Sequence, residues 1–177
     1  PLTGADCDSR VVRPGHLFIC KGVAFRSAYL VSALEKGAVA YLCDTDRAAE
    51  LAATASGVPA LIAHPESLRP AMALAAAEAF GHPDRVLRTV GITGTKGKST
   101  VSYMLRAVLD EGALAPRTAV MGSIGTFDGV EDLESHNTTP EAPDLWRHLA
   151  NARSAGLAYL DMEVSSLKKK FKDKRFA

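Results

Sequence analysis

A chain of 177 residues, 47% hydrophobic and 23% charged, can bury a core as one domain or as two small ones. The formal net charge of +1 hides a basic tail: residues 168–177 carry six cationic side chains and one aspartate, a net +5, which leaves the rest at −4. A mildly acidic body with a basic tail does not argue for a nucleic-acid-binding domain, and no nucleic acid is expected as a partner. The lack of a long apolar run or a signal peptide argues against a membrane one, so a cytoplasmic protein is expected.

In chain order, Asp8-Ser9-Arg10 is followed by Pro14-Gly15, a polar turn entering a strand over Leu17–Cys20. A helix is predicted over Phe25–Lys36, with Tyr29, Leu30, Ala33 and Leu34 forming its packing stripe and Gly37 ending it. Strand Ala38–Cys43, helix Asp46–Ala55, strand Ala60–Ala63 and helix Ser67–Phe80 follow, the last closed by Gly81. Cys7, Cys20 and Cys43 are odd in number and lack C-x-x-C spacing, so they read as reduced, buried thiols. Gly81-His82-Pro83-Asp84 breaks the pattern and sets a domain boundary near residue 84.

Beyond it, an apolar strand (Val86–Thr93) runs into Gly94-Thr95-Lys96-Gly97-Lys98-Ser99-Thr100 and then a helix over Lys98–Asp110. A strand breaking into a glycine-bearing turn that ends in Gly-Lys-Ser is a phosphate cradle. Backbone N–H groups close on the anion, Lys98 reaches the outer phosphates of a nucleoside triphosphate, and Ser99 offers a hydroxyl to Mg²⁺. Ile92 stands where the strict pattern has its first glycine, so this is a variant loop with that glycine at Gly94. An ordinary glycine turn with a chance Gly-Lys-Ser is the competing reading.

Strand Arg117–Met121, a long loop, helix Glu141–Ala155 with Pro143 in its first turn, and strand Leu157–Val164 complete the pattern. Strands alternating with helices imply βαβ units and a parallel sheet. His136-Asn137-Thr138-Thr139-Pro140, before the last helix, serves either as a helix cap or as a grip on an anionic substrate. Asp161-Met162-Glu163-Val164-Ser165-Ser166 ends the last strand, where ligands of α/β sheets gather. Glu163 is the candidate Mg²⁺ ligand there, with Asp161 a second candidate on the same side and a solvated carboxylate the plain alternative. The tail from Leu167 to Ala177 reads as a solvated terminus.

In this order, D-S-R-x-x-x-P-G-x-L-F (Asp8–Phe18), C-K-G-x-x-F-x-x-x-Y-L (Cys20–Leu30), G-I-T-G-T-K-G-K-S-T (Gly91–Thr100), N-T-T-P (Asn137–Pro140) and M-E-V-S-S (Met162–Ser166) resemble the Mur ligase family, most closely its MurE type. The resemblance covers residues 1–166. It implies a small N-terminal mixed α/β domain (1–84) binding the uridine diphosphate end of the substrate. A Rossmann-like, parallel-sheet ATP-binding domain would begin at 85 and be incomplete at 177. It further implies that Ser9, with Cys7 beside it, contacts the uridine nucleotide, and that Gly94 to Thr100 wrap the ATP phosphates with Lys98 catalytic. Asn137, Thr138, Thr139 and Ser165 would hold the muramoyl peptide, and Ser99 and Glu163 would serve Mg²⁺.

The implied activity is that of an ATP-dependent acid–amino-acid ligase of peptidoglycan synthesis, joining an amino acid to UDP-N-acetylmuramoyl-L-Ala-D-Glu through an acyl phosphate. Leu167 and the basic tail replace the His or Gln usual after M-E-V-S-S. The family's carbamylated lysine and its amino-acid-binding domain would lie further on, so a fragment unable to complete the reaction is expected. A MurF-type ligase and a non-catalytic nucleotide-binding module are the alternatives.

Overall fold

A computed structural model describes residues 1–134 and 140–164 of the chain. The described residues divide into two compact units: residues 1–82 with 141–147, and residues 83–134 with 140 and 148–164.

Unit 1 is built on a parallel sheet with strand order β1 (Gly4–Asp6), β2 (His16–Ile19), β3 (Ala40–Asp44), β4 (Ala60–Ala63). Helices α1 (Ser27–Glu35) and α2 (Thr45–Thr54) make the β2–β3 and β3–β4 crossovers that parallel pairing requires, a non-helical segment joins β1 to β2, and α3 (Leu68–Ala79) follows β4. Alternation along the strands serves two cores. Phe18, Cys20, Tyr41 and Cys43 pack with Leu30 and Ala33 of α1 and Leu51 of α2. Leu17, Ile19 and Leu42 pack on the other face with Met72, Ala76 and Ala79 of α3, and with Trp146. Both faces of a parallel sheet are thereby covered. Of the expected α1 stripe, Leu30 and Ala33 are fully buried, whereas Tyr29 stays 45% exposed with its ring edge-on to Phe25.

Unit 2 holds a mixed sheet with order β5 (Arg88–Thr93), β9 (Tyr159–Val164), β6 (Thr118–Met121), β7 (Gly125–Phe127), β8 (Asp132–Glu134). β5, β9 and β6 run parallel, joined through α4 (Lys98–Asp110) and α5 (Ala142–Ser154). β7 and β8 extend the sheet as an antiparallel hairpin. The expected long loop after β6 is therefore a hairpin, and the sheet is parallel only in its β5-β9-β6 part. β6 is buried along its whole length, and α4 is tied to it by Asp110 Oδ1, which accepts from the Arg117 N–H (3.0 Å) and the Thr118 hydroxyl (2.8 Å).

Candidate nucleotide and substrate site

In unit 2 the phosphate loop joins β5 to α4. Gly97 is the N-cap of α4 at φ +78, a left-handed conformation that disfavours a residue with Cβ. Gly97 has no side chain with which to cap α4, which leaves the first N–H groups of the helix with their share of the helix dipole at the loop. Thr95, Lys96, Gly97 and Thr100 are exposed, and Gly94, Lys98 and Ser99 half-buried. The Lys98 ammonium donates to the Gly94 carbonyl at 3.0 Å, folded against its own loop within reach of its mouth. The bend is thus open to solvent, and it is tied internally by the lysine expected to leave for phosphate.

β9, central between β5 and β6, carries Glu163 to the level of this loop. The residue is 1% exposed, so the solvated-carboxylate reading fails. The Ser123 N–H donates to Glu163 Oε1 at 3.2 Å, and the Ser123 hydroxyl lies 3.2 Å from Oε2. The same hydroxyl lies 3.1 Å from that of Ser99. Ser99 and Glu163, the two expected Mg²⁺ ligands, thus converge on one intervening serine. The donors are all hard oxygens, one of them anionic, and this set suits Mg²⁺. Gly122 makes room for the arrangement, since a Cβ there would collide with the Glu163 carboxylate.

Asp161, two residues earlier, is fully buried and accepts from the Ser102 hydroxyl of α4 at 2.6 Å, while its Oδ1 has no hydrogen-bond partner among the described residues. Burial pushes its carboxyl up; Ser102 opposes the shift and the Glu163 charge adds to it. A second group, Asp128, Glu131 and His148, places possible ligand atoms within 4.8 Å of one another. Asp128 is already committed there: it accepts from the N–H groups of Val130 and Glu131, from Asn151, and pairs with His148 Nδ1 at 2.6 Å. This is a pin between hairpin and helix.

In unit 1 the carboxyl ends of β1 and β2 carry Cys7 with the Asp8–Arg10 turn, and Cys20-Lys21-Gly22. Arg10 forks onto Asp8 (2.7 Å), and the Lys36 ammonium holds the carbonyls of Ser9 and Arg10 at 2.9 Å each. The turn is fixed at both ends, leaving Ser9 half-buried at its tip. Cys7 is half-buried too, its thiol pushed up by burial. Arg47 ties Asp44 (2.9 Å) to the Gly22 carbonyl (2.9 Å), and Lys21 pairs with Glu141 at 3.0 Å. The sequence motifs include Lys21 without a role for it, and none includes Arg47, Ser102 or Ser123. For Ser123 the available signal was Gly122-Ser123 at the carboxyl end of a buried strand, the same position in the sheet that drew attention to Glu163. Asn137, Thr138, Thr139 and Ser165 lie outside the described residues.

Two α/β units, one with a glycine loop between strand and helix beside a buried carboxylate, place the chain among α/β proteins whose sheet ends carry the candidate site. Residues 92–175 match the family described as the Mur ligase middle domain. It is similar to the UDP-N-acetylmuramyl-tripeptide synthetase of Bifidobacterium longum, with 38% identity over 94% of the chain and 31% of that protein. It is also similar to the UDP-N-acetylmuramoyl-L-alanyl-D-glutamate--L-lysine ligase of Streptococcus suis (strain 05ZYH33), with 37% identity over 90% of the chain and 31% of the relative. A solved UDP-N-acetylmuramoyl-L-alanyl-D-glutamate--2,6-diaminopimelate ligase superposes with a TM-score of 0.69 at 27% identity, over 94% of this chain and 32% of that one. The chain spans about a third of the length of the curated relatives it matches.

Proposed function

We propose that the chain is the uridine-nucleotide-binding and phosphate-loop part of an ATP-dependent ligase that extends UDP-N-acetylmuramoyl-L-Ala-D-Glu by one amino acid. In this reading residues 1–84 form the UDP-substrate domain, with Ser9 and Cys7 at the uridine end. Residues 85–177 supply part of the ATP-binding domain. Gly94 to Thr100 enclose the ATP phosphates, while Asn137, Thr138, Thr139 and Ser165 face the muramoyl peptide. The partners are the UDP-muramoyl dipeptide and an amino acid, with no nucleic acid or membrane, in the cytoplasm.

The supporting observation is the meeting of the uncapped α4 terminus, Lys98, Ser99 and buried Glu163 in one sheet-end site. A carboxylate resists attack by an amine because oxide leaves poorly. Transfer of the γ-phosphoryl group of ATP gives an acyl phosphate and ADP, and the amine then displaces inorganic phosphate to form the amide. Several negative charges meet in the first step, so the protein's task is positioning and neutralisation. Lys98 and the α4 N–H groups do this from the loop, and Ser99 and Glu163 would hold Mg²⁺, which supplies further neutralisation when bound.

Isothermal titration of the full chain with ATP plus Mg²⁺, and separately with UDP-N-acetylmuramoyl dipeptide, tests the reading. Both ligands are expected to bind, and Lys98→Ala is expected to lose ATP while keeping the uridine nucleotide. A folded chain that binds neither ligand defeats the reading.

A further inference from the structure

We infer that Ser123, which no motif singled out, is the positioning residue of the Mg²⁺ site: it aims the Glu163 carboxylate at Ser99. The inference rests on the nucleotide-site reading above and adds to it a residue outside the phosphate loop and outside the strand that bears Glu163.

When Glu163 carries the negative charge that a Mg²⁺ ligand needs, one arrangement of protons satisfies these hydrogen bonds. An ionised carboxylate only accepts, so the single hydroxyl proton of Ser123 goes to Glu163, 3.2 Å from Oε2. The Ser123 oxygen then accepts from Ser99, 3.1 Å away. The Ser123 N–H takes the other carboxylate oxygen, Oε1, at 3.2 Å. Glu163 is therefore held at both oxygens by one residue, and Ser99 points its proton inward, leaving its lone pairs for a cation. Groups that orient a metal-binding carboxylate typically contribute about 10- to 100-fold in metal affinity. Gly122 completes the device, because the space a Cβ would need is filled by the carboxylate that Ser123 holds.

Ser123 is itself exposed, so truncating it leaves the core intact. The test is the Mg²⁺ concentration that half-saturates binding of a fluorescent ATP analogue to the full chain, with binding in EDTA as reference. Ser123→Ala should raise that concentration about 10-fold or more and leave metal-free binding unchanged. Ser123→Thr, which keeps hydroxyl and N–H, should restore it. Gly122→Ala should mimic Ser123→Ala by displacing the end of the Glu163 side chain, with an unchanged thermal melt. A Ser123→Ala protein whose Mg²⁺ dependence matches wild type overturns the positioning role alone. A wild-type chain that binds the analogue neither with Mg²⁺ nor in EDTA overturns the nucleotide reading and this inference with it.

Discussion

Glu163 and Asp161 stand two residues apart on β9 and meet different partners, Ser123 and the Ser102 hydroxyl. Alternation along a strand predicts that both face one side, and the Glu163 charge does act on Asp161. It does not predict that both are buried, because a carboxylate at a strand end is ordinarily wet. For Asp161 the folded pKa is raised above 3.8, so the folded state holds its proton more tightly than the unfolded one. Its contribution to stability is complete below that value and is lost as pH rises through the raised one. Asp161→Asn should therefore show a flatter stability profile than wild type from about pH 4 upward, measured by denaturant melts at stepped pH. Parallel profiles for the two proteins would contradict the burial argument. At the loop, Lys98→Ala removes a charge that in the proposed function serves the triphosphate, against one hydrogen bond, to the Gly94 carbonyl, among the described residues. Nucleotide affinity should fall far more than the unfolding midpoint in the same preparation.

Among the elements, β5, α4 and β9 were legible because each is long and periodic and the glycine loop punctuates them. The three-residue strands β1, β7 and β8 were not. Gly-Ala-Asp, Gly-Thr-Phe and Asp-Leu-Glu are too short to show a period, and β8 is exposed throughout. One local signal for the β7–β8 turn was present in Asp128-Gly129, a favoured hairpin dipeptide. The Asp128 side chain then does what no pattern reveals: from complete burial it accepts two N–H groups of its own turn and holds Asn151 and His148. Burial pushes this carboxyl up, but the N–H of Glu131, then His148, Asn151 and the N–H of Val130 outweigh it, and the net shift is downward. A lowered folded pKa gives stability that is present above 3.8 and lost as pH falls through the folded value. Asp128→Ala should cost about 1–3 kcal/mol or more by stranding its donors, and should remove that acid-side loss. Urea melts at neutral and acid pH will read both effects.

For the molecule as a whole, the five motifs made the family legible, while the division of labour between the units remains a matter for ligand titrations. Unit 1 carries Ser9 at the tip of a turn fixed by Lys36 and the Asp8–Arg10 pair, and unit 2 carries the phosphate loop. Ser9→Ala, losing one hydrogen bond of about 1 kcal/mol, should weaken the UDP-muramoyl dipeptide several-fold and leave ATP unaltered. Equal loss of both ligands would mean that the turn supports the fold and not the uridine end.

The cysteines carry a last consequence. All three lie in unit 1 and none in unit 2. Cys20 and Cys43 are sealed in its core, and burial holds the Cys20 thiol up at about 12, so an alkylating reagent at neutral pH finds almost no thiolate there. Cys7, half-buried, is the first to react. The rate at which the second and third alkyl groups arrive is therefore a clock for the opening of one half of the chain, running without any signal from the other.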